Sequence, residues 1–550
     1  MSNELKAKDY KRPSTEMNNF AVFGKKLESF YSNSCIALRR SLFRVLLFHS
    51  NPFCFQLFYF LTVSLFGYLA LRVTKPRTST NTSFRPNDYD IFFTSVSATT
   101  VSSMSTVEME VFSNTQLIIL TILMLLGGEV FTSMLGLQIA KSKNFPKSLN
   151  HKDDNRVDVV VDNSRHHPPD SNNNTSFEQF ELRFVNDRSH LENDEKNNIY
   201  KSIRILGYVV LGYLLVVHIG GSILVSMYIA LVPSARQILQ SKGIEIQTFS
   251  IFTTVSTFAN CGYVPTNENM IVFKKNSGLL LLLLPQLLIG NTLYPSCLRF
   301  LIWLLQKITK RAEFSYILKN YKELGYCHLR SSLHSFLLAL TVLGFIVAQF
   351  ILFCVMEWKS EAMDGLSAYE KFVASIFQVT NSRHSGESVV DLSVLSPAIL
   401  VLFVVMMYLP PYTTFLPTTS DCEEIALANG SRNRNPIKTL VDSLIFSQLS
   451  YIAMFVILVC ITERDKMKDD PLNFNVLNIT IEVISGYGNV GFSTGYSCKR
   501  LLKHDSACVD AWYGFAGRWS TQGKFVLILV MIFGRLKQFS MKQGKAWKLS

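Results

Sequence analysis

Apolar residues gather along the chain into eight runs near 53–73, 115–140, 205–232, 278–305, 335–358, 392–416, 444–461 and 523–533, the last continuing into a basic tail. Runs of about 20 residues match the hydrocarbon core of a bilayer, so eight spans are predicted. Between the members of each successive pair lies a shorter amphipathic stretch, at 90–100, 248–259, 368–380 and 475–486. Each is too short to span and is followed by a polar loop with a small residue: Ser103 in VSSM, Gly262 in ANCG, Gly386 in HSG and Gly491 in NVG. Non-helical backbone at membrane depth is tolerated only inside protein or along water. The pattern therefore predicts an all-α membrane protein of four consecutive span–pore-helix–span repeats, with eight transmembrane helices and four re-entrant pore helices around one central pore.

The polar stretches divide the chain accordingly. We expect a cytoplasmic N-terminal segment at 1–50, pore repeats at 51–141, 205–306, 334–418 and 443–540, and a cytoplasmic tail at 541–550. Between the repeats lie a polar linker at 142–204, read as an insertion with little structure, a basic loop at 307–333 and a linker at 419–442. Lys and Arg set orientation. Nine of them fall in the first 50 residues, and the loop 307–330 holds six against two acids, so both are expected inside. The segment 357–391 carries six acids, Glu387 among them, against three basic residues, and reads as an outside loop.

Composition agrees: 48% of residues are hydrophobic, 17% are charged and 41 are phenylalanine. The net charge of +13 lies beside the spans, where it orients the chain and meets anionic lipid headgroups, so no nucleic-acid partner is expected. No enzyme motif occurs: GRWSTQGKF at 517 lacks the hydroxyl residue after its lysine that a phosphate-binding loop needs. No cofactor is expected. Cys498 and Cys508 flank a polar outer loop and are read either as a disulfide or as two free thiols. Asn81, in NTS on the predicted outer side, is a candidate glycan acceptor. Glu129, an acid within an apolar run, reads as a hydrogen-bond partner of a neighbouring pore loop, with a cation site or proton acceptor as the alternative, and Asn291 with the preceding Pro285 and Gly290 as a bend.

Placed around one axis, Ser103, Gly262, Gly386 and Gly491 form a candidate selectivity filter. Glycine lets backbone adopt positive φ and approach the axis without a side chain, so its carbonyls can replace an ion's hydration shell. Serine at one position makes the ring unequal. It acts either through its hydroxyl, which can ligate a small hard cation, or by narrowing the ring.

The stretches TSVSATTVSSMSTVEMEVFSNTQ at 94, FTTVSTFANCGYVPTNENM at 252, FQVTNSRHSGE at 377 and ISGYGNVGFSTGYS at 484 resemble the plant high-affinity potassium transporters, the HKT branch of the Trk/Ktr/HKT superfamily. The resemblance runs from about residue 51 to the C-terminus. It implies that the four small residues are the filter, and that serine in the first repeat marks the sodium-preferring subfamily. It further implies a plasma-membrane uniporter moving Na+ down its electrochemical gradient, used for sodium retrieval from xylem and for salt tolerance. A K+-permeable or Na+/K+-coupled transporter is the alternative. Relatives of this architecture form dimers with one pore per subunit. Arg535, in FGRLKQF, matches a basic residue of the family's last span; its expected role is to limit cation flux or anchor an inner loop, against a reading in which it only snorkels to the surface.

Overall fold

The leucine-, phenylalanine- and valine-rich runs fold into helices, because in lipid the intrahelical ladder is what satisfies every backbone group. A computed structural model of the protein describes residues 52–77, 86–144, 175–414, 448–501, 508 and 510–540. No strand occurs among these residues beyond an isolated bridge between Tyr496 and Ala511. Residues 1–59 and 60–550 separate as two units, and of the first only the start of one helix is described. Asn81, the 419–442 linker, the first 50 residues and the 541–550 tail lie outside the described residues.

The first member of each predicted pair is α1 (Pro52–Val73), α5 (Thr175–Leu231), α10 (Ser332–Glu357) and α13 (Gln448–Thr462). The second members are α3 (Asn114–Gly127) with α4 (Glu129–Asn144), α8 (Ser277–Ile289) with α9 (Tyr294–Thr309), α12 (Pro397–Tyr408), and α15 (Thr521–Ser540). Between them lie the short helices α2 (Asp88–Thr99), α7 (Ile246–Ala259), α11 (Ala368–Asn381) and α14 (Val476–Gly488), with α6 (Pro233–Ser241) leading into α7. Among the described residues, α1, α5 and α10 are each long and apolar enough to cross a membrane, α3 with α4 and α8 with α9 qualify as bent pairs, and α12 and α13 are shorter apolar helices.

Two expectations are corrected, and a third is located. The run 115–140, read as one span, bends by 59° at Gly128. Gly128 turns extended, with φ −59° and ψ 141°, and the guanidinium of Arg535 donates to the Gly127 carbonyl, which compensates the interrupted ladder. The bend expected around Asn291 is present as an 84° break between Ile289 and Tyr294, with Pro285 still inside α8. The linker 142–204 is not without structure: α5 starts at Thr175, well before the apolar run. Extending a helix already formed avoids the cost of a new nucleus.

Hydroxyl side chains make the short helices polar without exposing polarity to lipid. Thr99 Oγ1 donates to the Ser95 carbonyl at 2.8 Å, Ser250 Oγ to Ile246 at 2.7 Å and Thr380 Oγ1 to Ile376 at 2.7 Å, each folding back on its own helix. Close approach then seats these helices against their second spans. A Cβ on Gly127 would collide with the Thr99 carbonyl, on Gly290 with that of Phe258, and on Gly534 with that of Tyr487. All three carbonyls lie four residues before a predicted filter position.

Gly127→Ala should therefore lower the stability of the detergent-solubilised protein by about 1–3 kcal/mol, the usual cost of overpacking. Gly136→Ala, where a Cβ meets nothing within 4 Å, should leave the melting temperature unchanged. Equal melting temperatures for the two variants would contradict this packing.

Candidate functional site

The four short helices end in loops that share one local geometry. At the predicted filter positions the backbone is left-handed throughout, with φ of 53° at Ser103, 86° at Gly262, 70° at Gly386 and 98° at Gly491. Two residues earlier, Val101, Asn260 and Asn489 are left-handed as well, at 50°, 58° and 52°. The Ser102 amide donates to the Ser97 carbonyl at 2.8 Å, Cys261 to Ser256 at 2.9 Å and Val490 to Ser485 at 3.0 Å. The third loop closes one residue later, Gly386 donating to Asn381 at 3.2 Å. Six residues before each filter position stands a hydroxyl residue: Ser97, Ser256, Thr380 and Ser485.

The four loops meet in sequence order. A Cβ on Gly262 would strike the Ser385 carbonyl, one on Gly386 the Val490 carbonyl, and one on Gly491 the Cβ of Ser103. Ser103 Oγ in turn lies 3.3 Å from where a Gly262 Cβ would stand. The structure thus brings Ser103, Gly262, Gly386 and Gly491 together in a closed circuit, first loop against second, second against third, third against fourth and fourth against first. Each glycine is required on two counts, positive φ and a neighbour in the space of a side chain, which is backbone at Gly262 and Gly386 and the Ser103 side chain at Gly491. Ser103 alone bears a side chain in the circuit; it is 7% exposed and adopts a conformation costly for a residue with a Cβ.

Side chains behind the loops lock their register. Asn489 Nδ2 donates to Ser102 Oγ at 2.6 Å and to the Met531 carbonyl at 3.2 Å, tying the fourth loop to the first and to α15. His384 Nδ1 lies 2.7 Å from the Thr380 carbonyl and must donate there, so Nε2 accepts from Thr292 Oγ1 at 2.8 Å. The Tyr263 hydroxyl donates to the Met104 carbonyl at 2.6 Å. The short helices also direct their C-terminal ends, which carry partial negative charge, toward the circuit.

Charged groups surround it asymmetrically. Arg535 is 3% exposed and reaches the Gly127 carbonyl, with its guanidinium 6.0 Å from the Phe60 ring. It is therefore packed at the α3–α4 break and does not snorkel. Arg383, 6% exposed, donates to the Pro410 carbonyl where α12 has ended. The carboxylates of Glu387 and Glu482 are both 0% exposed: Glu387 accepts from Thr257 Oγ1 at 2.6 Å, and Glu482 from the Ala516 amide at 2.9 Å. Glu387, which the sequence placed among the charges of an outer loop, lies instead behind the third loop. Arg383, Glu387 and Glu482 escaped the sequence reading. The signal that could have found the first two is their position within three residues of Gly386.

At the mouth, Lys242 Nζ lies 2.6 Å from Glu110 and 2.5 Å from Glu268. Burial alone would lower the ammonium, but its hydrogen bonds to the two carboxylates outweigh this and raise it above its ordinary value. Glu110 also accepts from the Asn267 amide at 3.0 Å, joining the loops that follow Ser103 and Gly262. The Trp512 amide donates to Glu108 at 3.2 Å. The structure joins Cys498 to Cys508 in a disulfide at the base of the loop that supplies Trp512. Glu129 accepts from the Tyr412 hydroxyl at 3.0 Å and lies 3.8 Å from His328; its partner is the segment after α12, not the neighbouring pore loop expected from the sequence.

Comparison with known proteins matches residues 184–543 to the TrkH family, described as a cation transport protein. A protein of Oryza sativa subsp. japonica named Cation transporter HKT1;3 is 50% identical over 97% of this chain and 98% of its own length. One of Arabidopsis thaliana named Sodium transporter HKT1 is 54% identical over 87% of this chain and 92% of its own. Among solved structures, the potassium transporter TrkH from Vibrio parahaemolyticus aligns with 89% of this chain and 83% of that one, at 13% identity and a TM-score of 0.48.

Lys242→Met would leave Glu110 and Glu268 facing each other without the shared cation. It should destabilise the protein by about 1 kcal/mol per lost pair at low salt, and by less near 1 M salt, where the Debye length falls to about 3 Å. Melting curves at both salt concentrations check this; a difference that does not shrink with salt would contradict the electrostatic origin.

Proposed function

The chain belongs to the TrkH/HKT family of cation transport proteins, and on that premise we propose that it is a plasma-membrane, sodium-selective uniporter whose filter is formed by Ser103, Gly262, Gly386 and Gly491. It is a multi-pass membrane protein and not an enzyme. The observation that carries the proposal is the closed circuit of left-handed loop positions in which Ser103 alone bears a side chain. A Na+ ion arriving from outside would exchange part of its water for loop oxygens and move on along its electrochemical gradient. The Ser103 hydroxyl or its bulk would disfavour the larger K+. A relative named a sodium transporter supports this choice of ion.

With both termini cytoplasmic, one chain supplies a whole pore, and a homodimer would carry one pore per subunit in lipid. The physiological reading is sodium retrieval from xylem and salt tolerance. A K+-permeable or Na+/K+-coupled transporter is the second reading, favoured by glycine at three of the four filter positions. Arg535 would limit cation flux, because its charge is held at the Gly127 carbonyl within the same core and opposes a cation approaching it.

Ser103→Gly should raise permeability to K+ relative to Na+ about tenfold, equivalent to about 1.4 kcal/mol. Reversal potentials in Na+ and then K+ baths read this directly, and unchanged selectivity would sink the assignment. Arg535→Ala should increase Na+ current severalfold or change its rectification; identical current–voltage curves at equal surface expression would count against a role in flux.

A further inference from the structure

Glu387 follows Gly386 directly, is fully buried, and none of the ion pairs among the described residues includes it. One carboxylate oxygen accepts from Thr257 Oγ1 at 2.6 Å, on the short helix of the preceding repeat. The other is buried and has no hydrogen-bond partner in the structure. Its own amide donates to Asn381 Oδ1 at 3.3 Å, and the neighbouring Ser388 amide to Asn269 Oδ1 at 3.3 Å. The side chain is thereby fixed where the second and third loops meet.

Among the described residues no ion pair joins it to the basic groups of its own loop: Arg383 donates through Nη2 to the Pro410 carbonyl, with its Nε and Nη1 finding no hydrogen-bond partner, and His384 bonds Thr380 and Thr292. From the second repeat, the groups facing the carboxylate are Thr257 and the Cys261 thiol; from its own repeat, Asn381 stands alongside through the Glu387 amide. A buried carboxylate without a cation is costly to keep ionised. Beside a ring of carbonyls that receives a cation, the transported ion itself can supply the missing charge.

We infer that Glu387 is a positioning residue whose uncompensated carboxylate sets cation affinity at the filter, the bound ion acting as its counter-charge and Thr257 holding it in place. The inference rests on the filter reading above and adds an electrostatic partner that no filter residue supplies. Loss of the charge should weaken ion occupancy more than it alters the choice between Na+ and K+, because a fixed charge outside the ring acts on either ion while ring dimensions discriminate between them.

The test compares Glu387→Gln with wild type in oocytes, normalised to surface expression. The amide can still accept from Thr257 but carries no charge. The half-saturating external Na+ concentration should rise at least about tenfold, the scale of one charge about 12 Å away at an effective dielectric of about 20, while the Na+/K+ reversal-potential difference persists. An unchanged half-saturation would overturn the proposal yet leave the filter assignment standing, since that assignment is judged by Ser103→Gly selectivity. If Glu387→Gln does not reach the surface, Thr257→Val decides, since it removes the hydroxyl that holds the carboxylate and leaves Glu387 itself untouched. Half-saturating Na+ should then rise severalfold as the carboxylate leaves its position, and an unchanged value would likewise overturn the proposal.

Discussion

Backbone carbonyls held at membrane depth without side chains between them are the constraint on which the rest of this structure depends. In hydrocarbon, such groups must be bonded within protein or face an aqueous path. The chain meets this demand four times with a short helix and a residue at positive φ that presses on the next loop, and in three of the four adds a left-handed turn two residues earlier. Glycine at Gly262, Gly386 and Gly491 follows from geometry, since a Cβ at each would meet a neighbour's backbone or Ser103 itself. The helix breaks at Gly128 and after Ile289, and the contacts of Gly127, Gly290 and Gly534 with the short helices, serve the same end. They let the second spans approach closely enough to hold the loops from behind.

Within that frame the electrostatics are ordered. Carbonyl-lined loops and helix C-termini favour a cation at the centre. Arg535 and Arg383 bind carbonyls exposed where helices end, so each positive charge also repairs an interrupted ladder. The carboxylates of Glu387 and Glu482 are buried behind the third and fourth loops, whereas Glu110 and Glu268 at the mouth share Lys242. A structural cation neutralises the mouth pair, and on our reading a transported cation neutralises Glu387.

Much of this was legible in the sequence because period and length report on helices. The short helices predicted at 90–100, 248–259, 368–380 and 475–486 appear as Asp88–Thr99, Ile246–Ala259, Ala368–Asn381 and Val476–Gly488. The small residues after them were visible because each falls three to six residues beyond the predicted end of a short helix. The break at Gly128 was not legible: one extended residue leaves the hydrophobicity of 115–140 unchanged. Nor was the burial of Glu387, since a glutamate in a polar loop reads as a solvated charge until the opposing helix supplies Thr257. Glu129 shows the same limit. Its partner Tyr412 lies 283 positions away, a distance that no periodicity spans.

The central claim is that four unequal loops form one path that prefers Na+. Its most direct measurement is the reversal potential of the wild-type protein in voltage-clamped oocytes, as external Na+ and K+ are varied separately. The account predicts that the reversal potential tracks the Na+ gradient and stays nearly fixed when K+ is changed at constant Na+. A reversal potential that follows K+, or one that follows the product of both gradients as in coupled transport, would contradict it.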